Sequence, residues 1–168
     1  MFGSWLKTEL AVPDDAREIA VRVREHLPAA DPETVRVVAA LAGLLAAVAY
    51  ADRDYSNAEE ALVREVLGRV NGMTRAGIDA VCGAMRRHVV EASTVQIPHF
   101  AREIRELGDA ELRREVLDAL VDLAAADGDI ATSETNLLRQ IATSLGLTQA
   151  DYNDSQARYR ERLASLKR

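Results

Sequence analysis

Two short acidic segments carry residue types that suit the binding of a divalent cation. Their carboxylates are Asp52, Asp54 and Glu59 in the first segment and Asp127, Asp129 and Glu134 in the second. Carboxylate oxygens are the ligands that Ca²⁺, Mg²⁺ and Mn²⁺ prefer in proteins, and Zn²⁺ also accepts them. A cation site, if the chain has one, is therefore predicted here, and the second segment is favoured over the first.

The second segment matches only half of a calcium loop. Asp127-Gly128, followed after five residues by Glu134, fits the end of the pattern Asp-x-Asp-x-Asp-Gly-x5-Glu. The two earlier ligand positions hold Leu123 and Ala125, which have no side-chain oxygen. This mismatch excludes an EF-hand. It leaves a looser site, in which the carboxylates of one segment converge or both segments pool theirs.

The same acids also have a structural interpretation, which we favour from the sequence. An acid at a helix C-terminus opposes the helix dipole by about 0.3–1 kcal/mol, so Asp52 and Asp127 need compensation. N–H groups of the turn and of the following helix supply it, and Ser56 forms a capping box with Glu59. In the second segment the residue that matches Ser56 is alanine, so Glu134 is predicted to be freer for another role.

Helix signals on both sides of the segments predict the elements that position them. The chain is rich in alanine and has 4% aromatic residues and 4 prolines, which favours helices over strands. Two long apolar helices are predicted, from Pro32 to about Ala51 and from Asp109 to Ala126, and both are placed at the centre. The predicted fold is all-α, with about eight helices in a compact orthogonal bundle built from two pseudo-repeats.

The repeat is visible in the sequence itself. Leu45–Val70 aligns without gaps on Leu120–Leu145, at the 75-residue separation of Asp52 and Asp127. Arg64 also aligns with Arg139. This pattern predicts two copies of a helical unit related by a pseudo-twofold axis. The predicted organisation is a single domain over 1–168, with an N-terminal arm and first helix at 1–30 and repeats at 31–92 and 93–168.

These motifs together carry a family resemblance. They are Val116–Leu120, Ala126–Asp129, Glu134 and Leu145–Thr148, with a degenerate first copy at Ala51–Asp54 and Glu59 and an intervening segment at Phe100–Leu107. On these residues the chain resembles the tellurite-resistance TerB family. It is also similar to the N-terminal domain of DjlA-type co-chaperones, although no J-domain follows in this sequence.

The resemblance implies an all-helical domain that binds a divalent metal through its acidic turns and is linked to bacterial stress or tellurite response. It brings no enzymatic activity. The family pattern carries over in full to Asp127, Gly128, Asp129 and Glu134. In the first copy Arg53 stands where glycine is usual, and its positive charge counts against a metal at Asp52, Asp54 and Glu59.

Other function classes lack the residues they need. No Ser/His/Asp or Cys/His set suggests an activated nucleophile, and the glycines form no phosphate-binding loop. The net charge of −6 disfavours nucleic acid as a partner. The apolar stretch Val37–Ala51 is shorter than the roughly 20 residues of a membrane span. The single cysteine, Cys82, is expected to be a buried hydrophobe, and a cytoplasmic location is expected.

Three further groups of residues have alternative roles. His88, Glu91 and His99 form a weaker candidate for a metal site. The basic run near the C-terminus is predicted to be a solvated face, with anionic membrane contact as the alternative; it comprises Arg158, Arg160, Arg162, Lys167 and Arg168. Phe2, Trp5 and Leu6 are predicted to pack back onto the bundle rather than to anchor a partner or membrane surface.

The predicted function is a non-enzymatic binding module of TerB-like type that binds a divalent metal. The alternative is a metal-free adaptor that docks a protein partner on its helical grooves or acidic surface. The sequence leaves the partner unidentified and a homodimer open.

Overall fold

The computed structural model describes residues 14–92, 96–128 and 130–166, and within these ranges every regular element is a helix. The eight helices are α1 (Asp14–His26), α2 (Pro32–Ala49), α3 (Asn57–Gly68), α4 (Arg75–Ala92), α5 (Ile97–Leu107), α6 (Ala110–Ala124), α7 (Thr132–Ser144) and α8 (Gln149–Leu166). The predicted all-α fold class is therefore confirmed.

Aspartate side chains cap the first turns of two helices. The Asp31 carboxylate accepts the N–H of Thr34 at 2.8 Å, and proline occupies the first position of α2. The Asp109 carboxylate accepts the N–H of Leu112 at 2.8 Å at the start of α6. These side chains satisfy N–H groups that have no partner inside the helix, so the sequence determines where these helices begin.

Helix α2 is the centre of the bundle, as its lack of a polar face predicts. It packs against α1, α3, α4, α5, α6 and α7, and Leu44, Leu45 and Ala49 have no exposed surface. In length and mean hydropathy (18 residues, 1.6), α2 passes the test for a membrane span, but 67% of it is buried inside the protein. It is accordingly the core helix.

The contact between α2 and α5 depends on a glycine. A Cβ atom built at Gly43 would lie within 2.6 Å of three ring carbons of Phe100. Real Cβ atoms are not found so close to a neighbour, so the ring lies directly on the helix backbone. Phe100 is itself 5% exposed, which leaves the ring little room to move away.

Ion pairs fix α8 to α6. The Asp118 carboxylate accepts hydrogen bonds from the Ser155 hydroxyl at 2.5 Å and from two nitrogens of Arg158 at 2.7 and 3.1 Å. One turn further on, Arg162 pairs with Asp122. Since residues later in α8 pair with residues later in α6, the two helices run parallel.

These pairs involve part of the basic run near the C-terminus, which the sequence predicts to be a solvated face. Arg158 and Arg162 pair with aspartates of α6, and both side chains keep more than a third of their surface exposed; Arg160 is exposed as well. Lys167 and Arg168 lie outside the described residues. The prediction did not include the pairs, because it had no information on the acids opposite.

One end of the bundle collects both acidic segments, and we call it the acidic end. Helices α2 and α6 finish there, and α3 and α7 begin there. The ion pair between Glu60 and Arg86 places the C-terminal half of α4 beside the first turns of α3. The pair between Glu18 and Arg87 places the first turn of α1 at that end of α4 too.

The order of elements repeats along the chain. The predicted repeat would match α2, α3 and α4 with α6, α7 and α8, and α3 and α7 begin at residues separated by 75 positions. The helices α2 and α6, which correspond in the two copies, contact each other. The pseudo-twofold axis between the copies stays a prediction.

Candidate functional site

The first acidic segment is a tight turn between α2 and α3. The Asp52 carboxylate accepts the N–H of Asp54 at 3.0 Å, and both side chains are exposed. The rings of Tyr50 and Tyr55 stack at 4.6 Å on either side of the turn. The sequence analysis did not predict this stack. It could have been suspected from the sequence, because one tyrosine lies on each side of the acids.

Backbone angles explain the departure from glycine at Arg53. Its φ is +64°, within the small left-handed region that non-glycine residues reach at some cost. In the second turn Gly128 has a φ of +143°, which only glycine adopts readily. The first turn therefore tolerates a side chain where the second does not.

Behind the turns lie two buried glutamates, Glu59 (1% exposed) and Glu134 (5% exposed). Glu59 accepts the backbone N–H of Ser56 at 2.7 Å, and the Ser56 hydroxyl accepts the N–H of Glu59 at 3.1 Å, which completes the predicted capping box. Glu134 accepts the N–H of Ala131 at 2.8 Å. Glu134 therefore forms its half of the box without a serine and has no counterpart of the hydrogen bond between Ser56 and Glu59.

The negative charges of the two acidic turns act on the same two buried glutamates. Burial raises the pKa of Glu59 and of Glu134 above the ordinary value, and hydrogen bonds from the cap residues partly oppose this. The negative charges of Asp52 and Asp127 raise the pKa of both glutamates further. The pKa of each glutamate is therefore raised by the aspartate of its own turn and by the aspartate of the other turn.

The structure therefore brings together four of the six predicted ligands: Asp52, Glu59, Asp127 and Glu134. Asp54 is exposed on the first turn, and Asp129 lies outside the described residues. Among the residues that the structure describes, no three His, Cys, Asp or Glu side chains are arranged to hold one metal ion. What the described part of the site shows is a concentration of negative charge shared by both turns.

The raised pKa values predict a pH-dependent effect of Asp127→Asn. A glutamate whose pKa is raised by folding contributes stability that is fully present below its unfolded pKa and is lost as the pH rises through the folded value. In their charged form both glutamates repel Asp127. Removing that charge should stabilise the protein by about 0.2–1 kcal/mol, as for other exposed charges.

The gain should shrink as the pH falls towards 4.5, the ordinary glutamate value, because the glutamates become protonated. Urea unfolding of both proteins over this pH range measures the difference. The exposed Glu115→Gln on α6 is the control for the loss of one charge. A gain that is absent at neutral pH, or constant with pH, would contradict the electrostatic coupling of the turns.

The other candidate ligands do not form a described site. The side chains of His88 and Glu91 lie outside the described residues, as do Phe2, Trp5 and Leu6. His99 lies with its ring 5.6 Å from that of Phe100. The single cysteine, Cys82, is buried, as predicted.

The two arginines that the repeat aligns have different roles. Arg64 forms ion pairs with Glu60 at 3.1 Å and with Asp79 at 2.6 Å, close to the first acidic segment. Arg139 lies over the ring of Tyr152 at 5.7 Å. The alignment located both residues, but Glu60 aligns with Thr135, and Asp79 and Tyr152 lie outside the aligned segments.

The fold and its two acidic turns place the protein in the class of small all-helical modules. Residues 38–157 match the family described as Tellurite resistance protein TerB. The match covers most of the chain, which therefore belongs to the TerB family. Comparisons with curated proteins and with solved structures gave no match.

Proposed function

We propose that the chain is a binding module without chemistry of its own, which binds a divalent cation where its two acidic turns meet. One observation carries the proposal: Asp52 and Asp127 both act on the two buried glutamates, so negative charge from both turns is concentrated in one place. A bound cation would neutralise this charge.

The chemistry of the available groups favours a hard cation. The four carboxylates offer only oxygen, which suits Ca²⁺, Mg²⁺ or Mn²⁺ better than Zn²⁺. The exposed Asp127 and Asp52 would face the ion, and the buried Glu134 and Glu59 would add negative charge behind them. The predicted ligand Asp129 belongs to the same turn as Asp127.

The family supplies the biological setting of the proposal. Membership of the TerB family suggests a role in tellurite resistance and the associated stress response. We place the protein in the cytoplasm, in keeping with a helical bundle whose most apolar helix is a core helix. Members of this family are not generally enzymes, which fits a module that works by binding.

Thermal unfolding of the chelator-stripped protein with and without each metal tests the proposal. A cation at about 100 times its dissociation constant should stabilise the fold by about 2.7 kcal/mol, which raises the midpoint measurably. Asp127→Asn and Asp52→Asn should each reduce the shift, because each removes one charge from the site. Glu115→Gln, on an exposed face of α6, is the matched control and should leave it unchanged.

Arg53→Gly should affect the metal-induced shift in the opposite direction to the two aspartate substitutions. It removes the positive charge beside Asp52 and places glycine in a left-handed conformation that suits it. The metal-induced shift should therefore increase. If no metal moves the midpoint of the wild type, or if Asp127→Asn leaves the shift intact, the acidic end is not a cation site.

A protein partner is the second candidate function, and the exposure of Asp52, Asp54 and Asp127 favours it. In this role a basic segment of another protein would neutralise the same carboxylates without a metal. Binding of a short lysine-rich peptide to the chelator-stripped protein, measured by calorimetry at low and high salt, tests it. The expected result is binding that salt weakens and that Asp127→Asn reduces.

A further inference from the structure

Two arginines lie against one turn at the end of the bundle opposite the acidic end. Helix α5 finishes there, α6 begins there, and the turn after α7 leads into α8. A Cβ atom built at Gly146, in that turn, would lie 3.4 Å from Nη1 of Arg113 and 3.5 Å from Nε of Arg105. These distances limit the separation of the two nitrogens to about 7 Å. Two guanidinium groups therefore converge on the surface of this glycine.

The positive charges of these two arginines are not neutralised by an acid in the described part of the chain. Arg113 donates from Nε to the backbone carbonyl of Asp109 at 3.2 Å, and neither arginine forms an ion pair with a described residue. The nearby aspartates have other partners. The Asp109 carboxylate caps α6, and Asp151 accepts hydrogen bonds at the start of α8 and pairs with Arg114. An anion between the two guanidinium groups would relieve their repulsion.

The turn itself does not require arginines beside it. Gly72 has a φ of +84° in the turn after α3, and a Cβ atom there would lie 3.5 Å from a methyl group of Leu27. A left-handed glycine turn is therefore compatible with an apolar neighbour. At the second turn, Gly146 and Arg105 are exposed and Arg113 is partly buried. The space between the two guanidinium groups is accordingly open to solvent.

The chemistry of the two groups favours a phosphate as the ligand. Guanidinium N–H groups form charge-assisted hydrogen bonds of about 2.7–2.9 Å with phosphate and carboxylate oxygens. A phosphate monoester carries a charge of about −1.5 to −2 at pH 7, whereas a carboxylate carries a single charge. Two guanidinium charges are therefore matched by one phosphate, and its several oxygens can accept hydrogen bonds from both arginines.

We propose that Arg105 and Arg113, on either side of Gly146, bind a phosphate group, either as the free anion or as a small phosphate monoester. The 15 residues of α6 separate this site from the acidic turns by about 22 Å. The proposal is therefore independent of any cation at the acidic end, and its test needs no metal.

A titration with inorganic phosphate, followed by the amide NMR resonances of the full-length protein at low salt, tests the proposal. The amides of Gly146 and Leu147 should shift to saturation with phosphate, and chloride at equal ionic strength should not reproduce the shift. Arg105→Gln and Arg113→Gln should each weaken binding by about tenfold or more. Arg160→Gln removes an exposed guanidinium about three turns along α8 and is the matched control, which should bind as the wild type does.

Gly146→Asp supplies the anion from the chain itself. Aspartate and asparagine both accept left-handed backbone, and a Cβ at this position meets both arginines at contact distance. At low salt Gly146→Asp should unfold at a higher temperature than Gly146→Asn, and added salt should reduce the difference, because the new carboxylate pairs with the guanidinium groups. Phosphate should no longer shift the Leu147 amide of Gly146→Asp.

Three results overturn the proposal: phosphate that shifts neither amide, Arg160→Gln that weakens binding as much as Arg105→Gln does, or Gly146→Asp that still binds phosphate. Circular dichroism checks that each variant is folded. If Arg113→Gln does not fold, Arg105→Gln and Gly146→Asp still decide the question. Phosphoserine as a second probe distinguishes the source of the phosphate, since tighter binding than that of inorganic phosphate assigns the site to a monoester and weaker binding assigns it to the free anion.

Discussion

Alanine at Gly43 should destabilise the protein by about 1–3 kcal/mol, the usual range for overpacking a core. In an exposed helix the same change would stabilise by about 1 kcal/mol, because alanine is the better helix former. Here the added Cβ would lie within 2.6 Å of the Phe100 ring, and the surrounding core holds that ring in place. Urea unfolding monitored by circular dichroism measures the change.

The sign of this effect should reverse when the ring is removed. Phe100→Ala alone should cost about 3–5 kcal/mol, the range for loss of a buried aromatic side chain. In that background Gly43→Ala no longer meets a ring and should stabilise, by helix propensity and by filling part of the cavity. A double-mutant cycle isolates the coupling. Additive effects would show that the ring does not lie on the α2 backbone as described.

Loss of the Asp118 carboxylate should destabilise the protein by about 1–3 kcal/mol, the range for hydrogen bonds that involve a charged group. Asp118→Ala removes the acceptor for Ser155 and Arg158 together, and Ser155 is fully buried. Because Arg158 is partly exposed, water can replace some of the hydrogen bonds that its guanidinium loses. The upper end of the range therefore applies only if the Ser155 hydroxyl stays without a hydrogen-bond partner. Urea unfolding measures the loss.

Two comparisons make this prediction specific. Glu115→Ala changes an exposed acid on the same helix and should stay within about 0.5 kcal/mol of the wild type. Hydrogen exchange of Asp118→Ala should show loss of protection mainly in α8, which this carboxylate joins to α6. Unchanged protection in α8 would mean that apolar contacts alone hold this helix.

Much of the fold could be predicted because its signals are local. The all-round apolar sequence of α2 predicts a central helix, and Asp31 and Ser56 predict where two helices begin; the structure confirms all three. The attachment of α8 could not be predicted in this way. It depends on which residues of α6 lie opposite Arg158 and Arg162, and those acids are 40 positions earlier in the chain.

For the site, the sequence predicted the acids and the structure shows how they meet. The repeat pointed to Asp52 and Asp127 as equivalent positions, and their shared effect on Glu59 and Glu134 agrees with carboxylates pooled between the turns. The half capping box at Glu134 was missed, because a backbone N–H is available there whatever the cap residue is.

The left-handed backbone at Arg53 makes the two turns unequal in what single mutations can do to them. Asparagine, aspartate and glycine all accept a φ near +64°, so this position can hold a positive, neutral or negative residue while the turn keeps its shape. At Gly128 any side chain would force the backbone to move. During divergence of related chains we therefore expect the first turn to vary in charge and the second to stay constant. The ion preference of the proposed cation site would then change by substitution at one position, without rebuilding the bundle.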